Sequence, residues 1–167
     1  LNPYAANEHA NLGVVLEALG SYQEAIKAYG RAIKLKPRKS QFYTSLGNLY
    51  FRMLRERGRL PSDDNEETSV VDMNHLFEMS LYNYDKALQY NPDDAEAYND
   101  LGDLYYYRGL FQEALNEYKH AVEKDPYNAD AHNNVGLAGL KLKRYGDAEK
   151  AFLRALELRP DYAEAFN

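Results

Sequence analysis

The sequence predicts an all-α solenoid, a stack of antiparallel helix pairs, and three observations lead there. First, one register returns down the chain: Leu12-Gly13, Leu46-Gly47, Leu101-Gly102 and Val135-Gly136 have glycines 34, 55 and 34 residues apart. Second, four further columns keep that register. Prolines fall at Pro3, Pro37, Pro92, Pro126 and Pro160, and small residues at Ala25, Ser80, Ala114 and Ala148. Aromatic residues fall at Tyr29, Tyr84, Tyr118 and Phe152, and a second small column at Ala32, Ala87, Ala121 and Ala155. Third, apolar residues between these landmarks recur at helical spacing, in two blocks per repeat. Five columns in one register mark a stacked repeat protein, in which each repeat rests mainly on its neighbours and there is no single central core.

The elements follow in order. Residues 1–5 end an earlier repeat, since Pro3 falls in the proline column. The first full repeat spans 6–39, and its first half carries Leu12, Val15, Leu16 and Leu19 on one helical face. Gly20-Ser21 breaks that helix. The second half carries Tyr22, Ala25, Ile26, Tyr29, Ala32, Ile33 and Leu35, and Pro37 ends it. Gly13 and its equivalents let the two helices approach with no Cβ between them, Ala25 and its equivalents sit at the same crossing, and the aromatic column is expected to fill the wider gap.

The second repeat, 40–94, exceeds the period by 21 residues. Tyr43, Leu46, Gly47 and Tyr50 keep its first helix, and Ser80, Tyr84, Ala87 and Pro92 its second. The insertion, near 56–74, therefore lies in the turn. The first helix is expected to run on to about Arg57. The second is expected to start early, near Ser69, with Ser69 and Asp72 as a capping pair. Between them Gly58 to Thr68 has a loop composition rich in Pro, Ser and acids. The third repeat spans 95–128. The fourth, 129–162, has Gly139 where Leu16, Tyr50 and Tyr105 stand, and a gap is expected there. Residues 163–167 begin another first helix. The chain starts at Leu1 and carries no polar terminal cap, so the native array is expected to continue. In isolation, the apolar face of the last second helix, Phe152, Leu153 and Leu156, is expected to invite self-association.

The pattern resembles the tetratricopeptide repeat, a 34-residue helix–turn–helix. Tyr98, Leu101, Gly102, Tyr105, Ala114, Tyr118, Ala121 and Pro126 fill that family's eight signature places in the third repeat. The resemblance implies a single array over 1–167, wound as a right-handed superhelix, with a concave groove lined by the first helix of each repeat.

Totals exclude some functions. The 167 residues carry a net charge of −6, which argues against a general nucleic-acid binder, because such a protein needs a basic stripe. No cysteine is present, so disulfides, thiolate nucleophiles and thiolate metal sites are excluded, while no compartment is assigned. No apolar run is long enough to span a membrane. No nucleotide-binding, zinc-protease or serine-hydrolase motif occurs, and the acids of the insertion lack calcium-loop spacing. No enzyme activity, cofactor or metal is expected. His9 and His132 share a column with Tyr43 and Tyr98 and are expected to pack between helices, while His75 and His120 are expected on the surface. Most of the 16 tyrosines fall in structural columns; Tyr106 and Tyr107 are extra, and both are expected on the inner face.

The groove implied by the resemblance has its own composition. It takes Asn7, Ala10, Asn11 and Val14 from the first repeat, and Gln41, Thr44, Ser45, Asn48 and Arg52 from the second. The third offers Glu96, Asn99, Asp100, Asp103 and Tyr107, and the fourth Asp130, Asn133, Asn134 and Lys141. The carboxylate clamp with which some family members grip acidic chaperone tails fails here. Its five places, which take Lys, Asn, Asn, Lys and Arg, hold Ala10, Val14, Ser45, Glu96 and Asp100 in one frame, and Thr44, Asn48, Asp100, Asp130 and Asn134 in the other, with no cation in either. The asparagine ladder of the O-GlcNAc transferase superhelix is matched at two of four places, among Asn11, Ser45, Asp100 and Asn134. Amides donate and accept, which suits a peptide backbone, and the acids favour a segment with Lys or Arg. The expectation is a non-catalytic scaffold for a protein or peptide partner. The alternatives are the substrate-recognition arm of a larger enzyme and a self-assembling scaffold.

Overall fold

The computed structural model describes residues 5–58 and 73–159. The expected loop over 59–68, the Ser69–Asp72 cap and the helix start at Ala163 lie outside the described residues. Among the described residues there are eight helices: α1 (Ala5–Ala18), α2 (Tyr22–Leu35), α3 (Ser40–Arg57), α4 (Met73–Tyr90), α5 (Ala95–Tyr107), α6 (Phe111–Lys124), α7 (Ala129–Lys141) and α8 (Tyr145–Leu158). The chain forms two compact units, residues 1–92 and 93–167. In the first, α1 packs on α2, α2 on α3 and α3 on α4; in the second, α5 packs on α6, α6 on α7 and α7 on α8.

The turn inside a pair is set by one backbone position. Gly20 and Gly109 take φ of 74° and 77° there. The amides of Gly20 and Ser21 bond back to the carbonyls of Glu17 and Leu16, and those of Gly109 and Leu110 to Tyr106 and Tyr105. Both are Schellman closures, which need a left-handed residue and so favour glycine. The fourth repeat makes the same closure with Lys143, at φ 59°. In the second repeat the equivalent residue is Leu54, which is fully buried, and α3 continues through it to Arg57.

The glycine column permits the pair to close, and the tertiary structure corrects the expected place of the aromatics. They do not fill a wider gap; their rings lie on the glycines. A Cβ at Gly13, Gly47, Gly102 or Gly136 would stand 2.7, 2.8, 2.5 or 2.6 Å from Cε1 of Tyr29, Tyr84, Tyr118 or Phe152. A methyl group cannot fit at those distances, so the glycine is required by the ring. The gap expected at Gly139 is also absent. Its Cβ would meet Ala148 Cβ at 3.2 Å, because α7 and α8 close directly over the missing side chain.

The turns between pairs carry a matched contact. The Tyr43 hydroxyl donates to the Pro37 carbonyl at 2.9 Å, and His132 Nε2 lies 3.1 Å from the Pro126 carbonyl. His132 thus stands in this turn where Tyr43 stands in the earlier one. His75 and His120 are exposed as expected, with His120 stacked on Tyr98.

Candidate functional site: the polar face of the first helices

In the first unit, α1 and α3 face each other across an open hollow of about 360 Å³. Its apolar lining is Ala10, Val14 and Phe42, its amides are Asn7, Asn11 and Gln41, and Ser45, Lys39 and the edge of Tyr29 complete it. Sequence reading missed Lys39. It stands at the N-cap of α3 with an extended backbone and makes no side-chain cap. The same position holds Asp94 before α5 and Asn128 before α7, and both accept a backbone amide, from Ala97 at 3.1 Å and Ala131 at 3.0 Å. That departure from a capping residue was the available signal.

The ten predicted residues have varied surroundings. Asn11 is exposed and lines the hollow. Asn48 is exposed too, and its side-chain oxygen accepts from the Tyr84 hydroxyl. Arg52 reaches Glu17 at 3.3 Å. Thr44, expected in the groove, instead turns inward and is buried. It follows Phe42 and Tyr43, and packing turns this stretch of α3 toward the core.

In the second unit a polar chain crosses three helices. The Tyr118 hydroxyl on α6 donates to Asp103 on α5 at 2.7 Å. The Asn134 amide on α7 donates to Asn99 Oδ1 at 3.0 Å and Asp103 Oδ1 at 3.3 Å. The structure therefore brings Asn99, Asp103 and Asn134 together, and uses them partly for its own cohesion. Asp130 accepts from both terminal guanidinium nitrogens of Arg159, at 3.2 and 3.1 Å. Asp100 is half-buried and Glu96 is exposed in the first turn of α5. Tyr107 is exposed, but Tyr106 is not on the inner face as expected: its ring meets Phe111 edge-on and packs on the Ala114–Leu115–Tyr118 core.

One rule joins these contacts. The residue after each column glycine is Val14, Asn48, Asp103 or Leu137, and the ring above it is Tyr29, Tyr84, Tyr118 or Phe152. Where that residue can accept, the hydroxyl bonds to it. Where Val14 cannot, Tyr29 turns to Glu17 at 3.1 Å. Opposite Leu137 the ring has no hydroxyl. Burial first, and then the adjacent carboxylates Glu17 and Asp103, hold the Tyr29 and Tyr118 phenols well above their ordinary range. Both stay neutral donors.

Helix pairs closed by a glycine under an aromatic ring, with polar side chains along their first helices, define an α-helical repeat protein of the helix–turn–helix class. Family profiles described as tetratricopeptide repeat match residues 99–163, and as TPR repeat residues 18–53 and 77–109. The chain belongs to the tetratricopeptide repeat family. No curated protein matches it in sequence. Among solved structures, MamA is similar at TM-score 0.74 and 21% identity, covering 98% of this chain and 83% of that one. The pilF protein of Pseudomonas aeruginosa is similar at TM-score 0.73 and 18% identity, covering 95% and 63%. The first TPR of Spaghetti (RPAP3), solved with the HSP90 peptide SRMEEVD, is similar at TM-score 0.67 and 20% identity, covering 86% and 97%. At these identities the likeness is one of fold. Among the described residues no helix is long and apolar enough to cross a membrane.

Proposed function

We propose that this chain is a non-catalytic interaction scaffold that binds an extended or short helical segment of another protein along the face of its first helices. The observation that carries the reading is the hollow between α1 and α3, lined by apolar side chains together with amide and hydroxyl groups and Lys39. Such a lining accepts a side chain while hydrogen-bonding the backbone beside it. In the second unit Glu96, Asn99, Asp100, Asp103, Tyr107, Asp130 and Asn134 supply amide and acidic groups. Exposed Glu96 is the acid best placed to meet Lys or Arg in a partner. Asp103 and Asn134 act chiefly as a support that orients Asn99. The RPAP3 domain was solved with an acidic peptide; the places that would grip such a tail here carry acids, amides and small residues, so a basic segment is the better match.

The test is a fluorescence-anisotropy titration of peptides graded in Lys and Arg content, with SRMEEVD as the acidic control. Basic peptides should bind, with affinity falling as salt rises. Exchanging exposed Glu96 and Asp130 for Lys should weaken binding about tenfold and flatten the salt dependence. Unchanged affinity, or preference for the acidic control, would overturn the basic-segment reading.

A further inference from the structure

We infer that the outer face of α2 docks an acidic segment of another protein, held by Lys27, Arg31 and Lys34, with Arg38 in the turn that follows. The surface is distinct from the polar face of the first helices, and the evidence is a comparison of α2 with its three counterparts.

α2 buries Ala25, Ala28, Tyr29 and Ala32. Lys27, Arg31 and Lys34, at i, i+4 and i+7, form a stripe on the opposite side, and all three are exposed. The columns of Arg31 and Lys34 hold a bonded pair in each other second helix. In α4, Lys86 donates to Gln89 at 2.8 Å. In α6, His120 Nδ1 lies 3.3 Å from Glu123, and in α8, Arg154 donates to Glu157 at 2.9 Å. α2 replaces the acceptor with a second cation and adds Lys27 one turn earlier. Like charges three and four residues apart repel and weaken a helix, so the fold gains nothing from this exchange. The dipole favours Lys34 in the last turn, yet α6 keeps Glu123 beside its own last-turn Lys124, so the dipole does not account for the lost acceptor.

The turn shows the same reversal. Arg38 stands where the next pair of repeats has Asp93, which takes Lys124 at 2.6 Å. No Asp or Glu occurs from Ala25 to Arg55, a stretch with eight Lys and Arg in a chain of net charge −6. Glu24 opens α2 but makes no ion pair with Lys27, and among the described residues Lys27, Arg31, Lys34 and Arg38 have no side-chain partner. An external anion would relieve the repulsion along the stripe. Its neighbours select a polypeptide. Between Lys27 and Gln41 the one aromatic residue, Tyr29, is buried, so bases find no stacking surface. Among the described residues no large apolar side chain is exposed between Leu19 and Tyr82, so nothing enters a bilayer. A run of Asp and Glu fits a narrow track of cations, and Arg31 can grip a carboxylate with two nitrogens.

The test is a fluorescence-anisotropy titration of the 167-residue chain with a labelled peptide of about eight glutamates, long enough to follow the track. The native chain should bind it, with affinity falling as salt rises. Lys34→Glu, and separately Lys27→Gln with Arg31→Gln, should each weaken binding about tenfold. Circular dichroism should show the helices retained, since the sites are exposed and α6 and α8 already carry Glu in the place of Lys34. The Lys34→Glu chain should bind Lys- and Arg-rich peptides as the native chain does, so this site and the groove can fail separately. Absence of glutamate-peptide binding at low salt, or variants that bind it like the native chain, would overturn the inference. Tighter binding of a single-stranded oligonucleotide, or of phosphatidylserine vesicles, would overturn it too, by assigning the stripe to nucleic acid or to a membrane.

Discussion

The contact between Tyr118 and Gly102 shows how strictly a side chain can be dictated. A methyl group at Gly102 would lie 2.5 Å from the ring, whereas at Gly30, in the interior of α2, nothing stands within 4 Å. Gly102→Ala should therefore cost about 1–3 kcal/mol through overpacking. Gly30→Ala should add up to about 1 kcal/mol through helix propensity alone. Thermal melts of the two variants should move in opposite directions. The hydroxyls above the glycines give a second expectation. The Tyr29 and Tyr118 phenols sit above their ordinary value through burial and through Glu17 and Asp103. A group whose folded pKa is raised stabilises the fold below its unfolded value of about 10, and that contribution is lost as pH climbs past it. Urea denaturation should show stability falling above about pH 10, and Tyr29→Phe with Tyr118→Phe should make the fall shallower. The column of tyrosines is legible in the sequence. Their acceptors are not, because Asn48 and Asp103 follow the glycine directly while Glu17 lies a turn away, and only the packed pair shows which is reached.

At the scale of the helix, termini decide stability. Asp94 and Asn128 cap α5 and α7, whereas Lys39 holds the same backbone position before α3 without a cap. Asp94→Ala should cost about 1 kcal/mol and Lys39→Asp should gain a similar amount, both read by chemical denaturation. If Lys39 serves the hollow, the stabilised variant should also lose affinity for its segment. The turn inside the fourth pair offers a parallel case. Lys143 takes the left-handed place held by Gly20 and Gly109. Lys143→Gly should raise the stability of the α7–α8 pair by about 1 kcal/mol, since the left-handed conformation carries a Cβ penalty that glycine lacks.

For the whole molecule, energetics should be local. Helices in a repeat array contact their neighbours, and stability approximates a sum of repeat and neighbour terms. Gly102→Ala should therefore speed amide hydrogen exchange in α5 to α8 more than in α1 to α4, which belong to the other compact unit. Uniform acceleration along the chain would show one cooperative block instead. The repeat register, the helix pairs and the family were determined by the sequence itself, since period, glycine, proline and small-residue columns are local properties that survive without coordinates. The tertiary structure alone decided three things: that rings lie on the glycines, that α7 and α8 close over Gly139, and that Asp103, Asn134 and Asp130 meet partners within their own unit. A one-dimensional pattern records which residue stands at each place, whereas distance and hydrogen-bond geometry arise only when helices far apart in sequence come into contact.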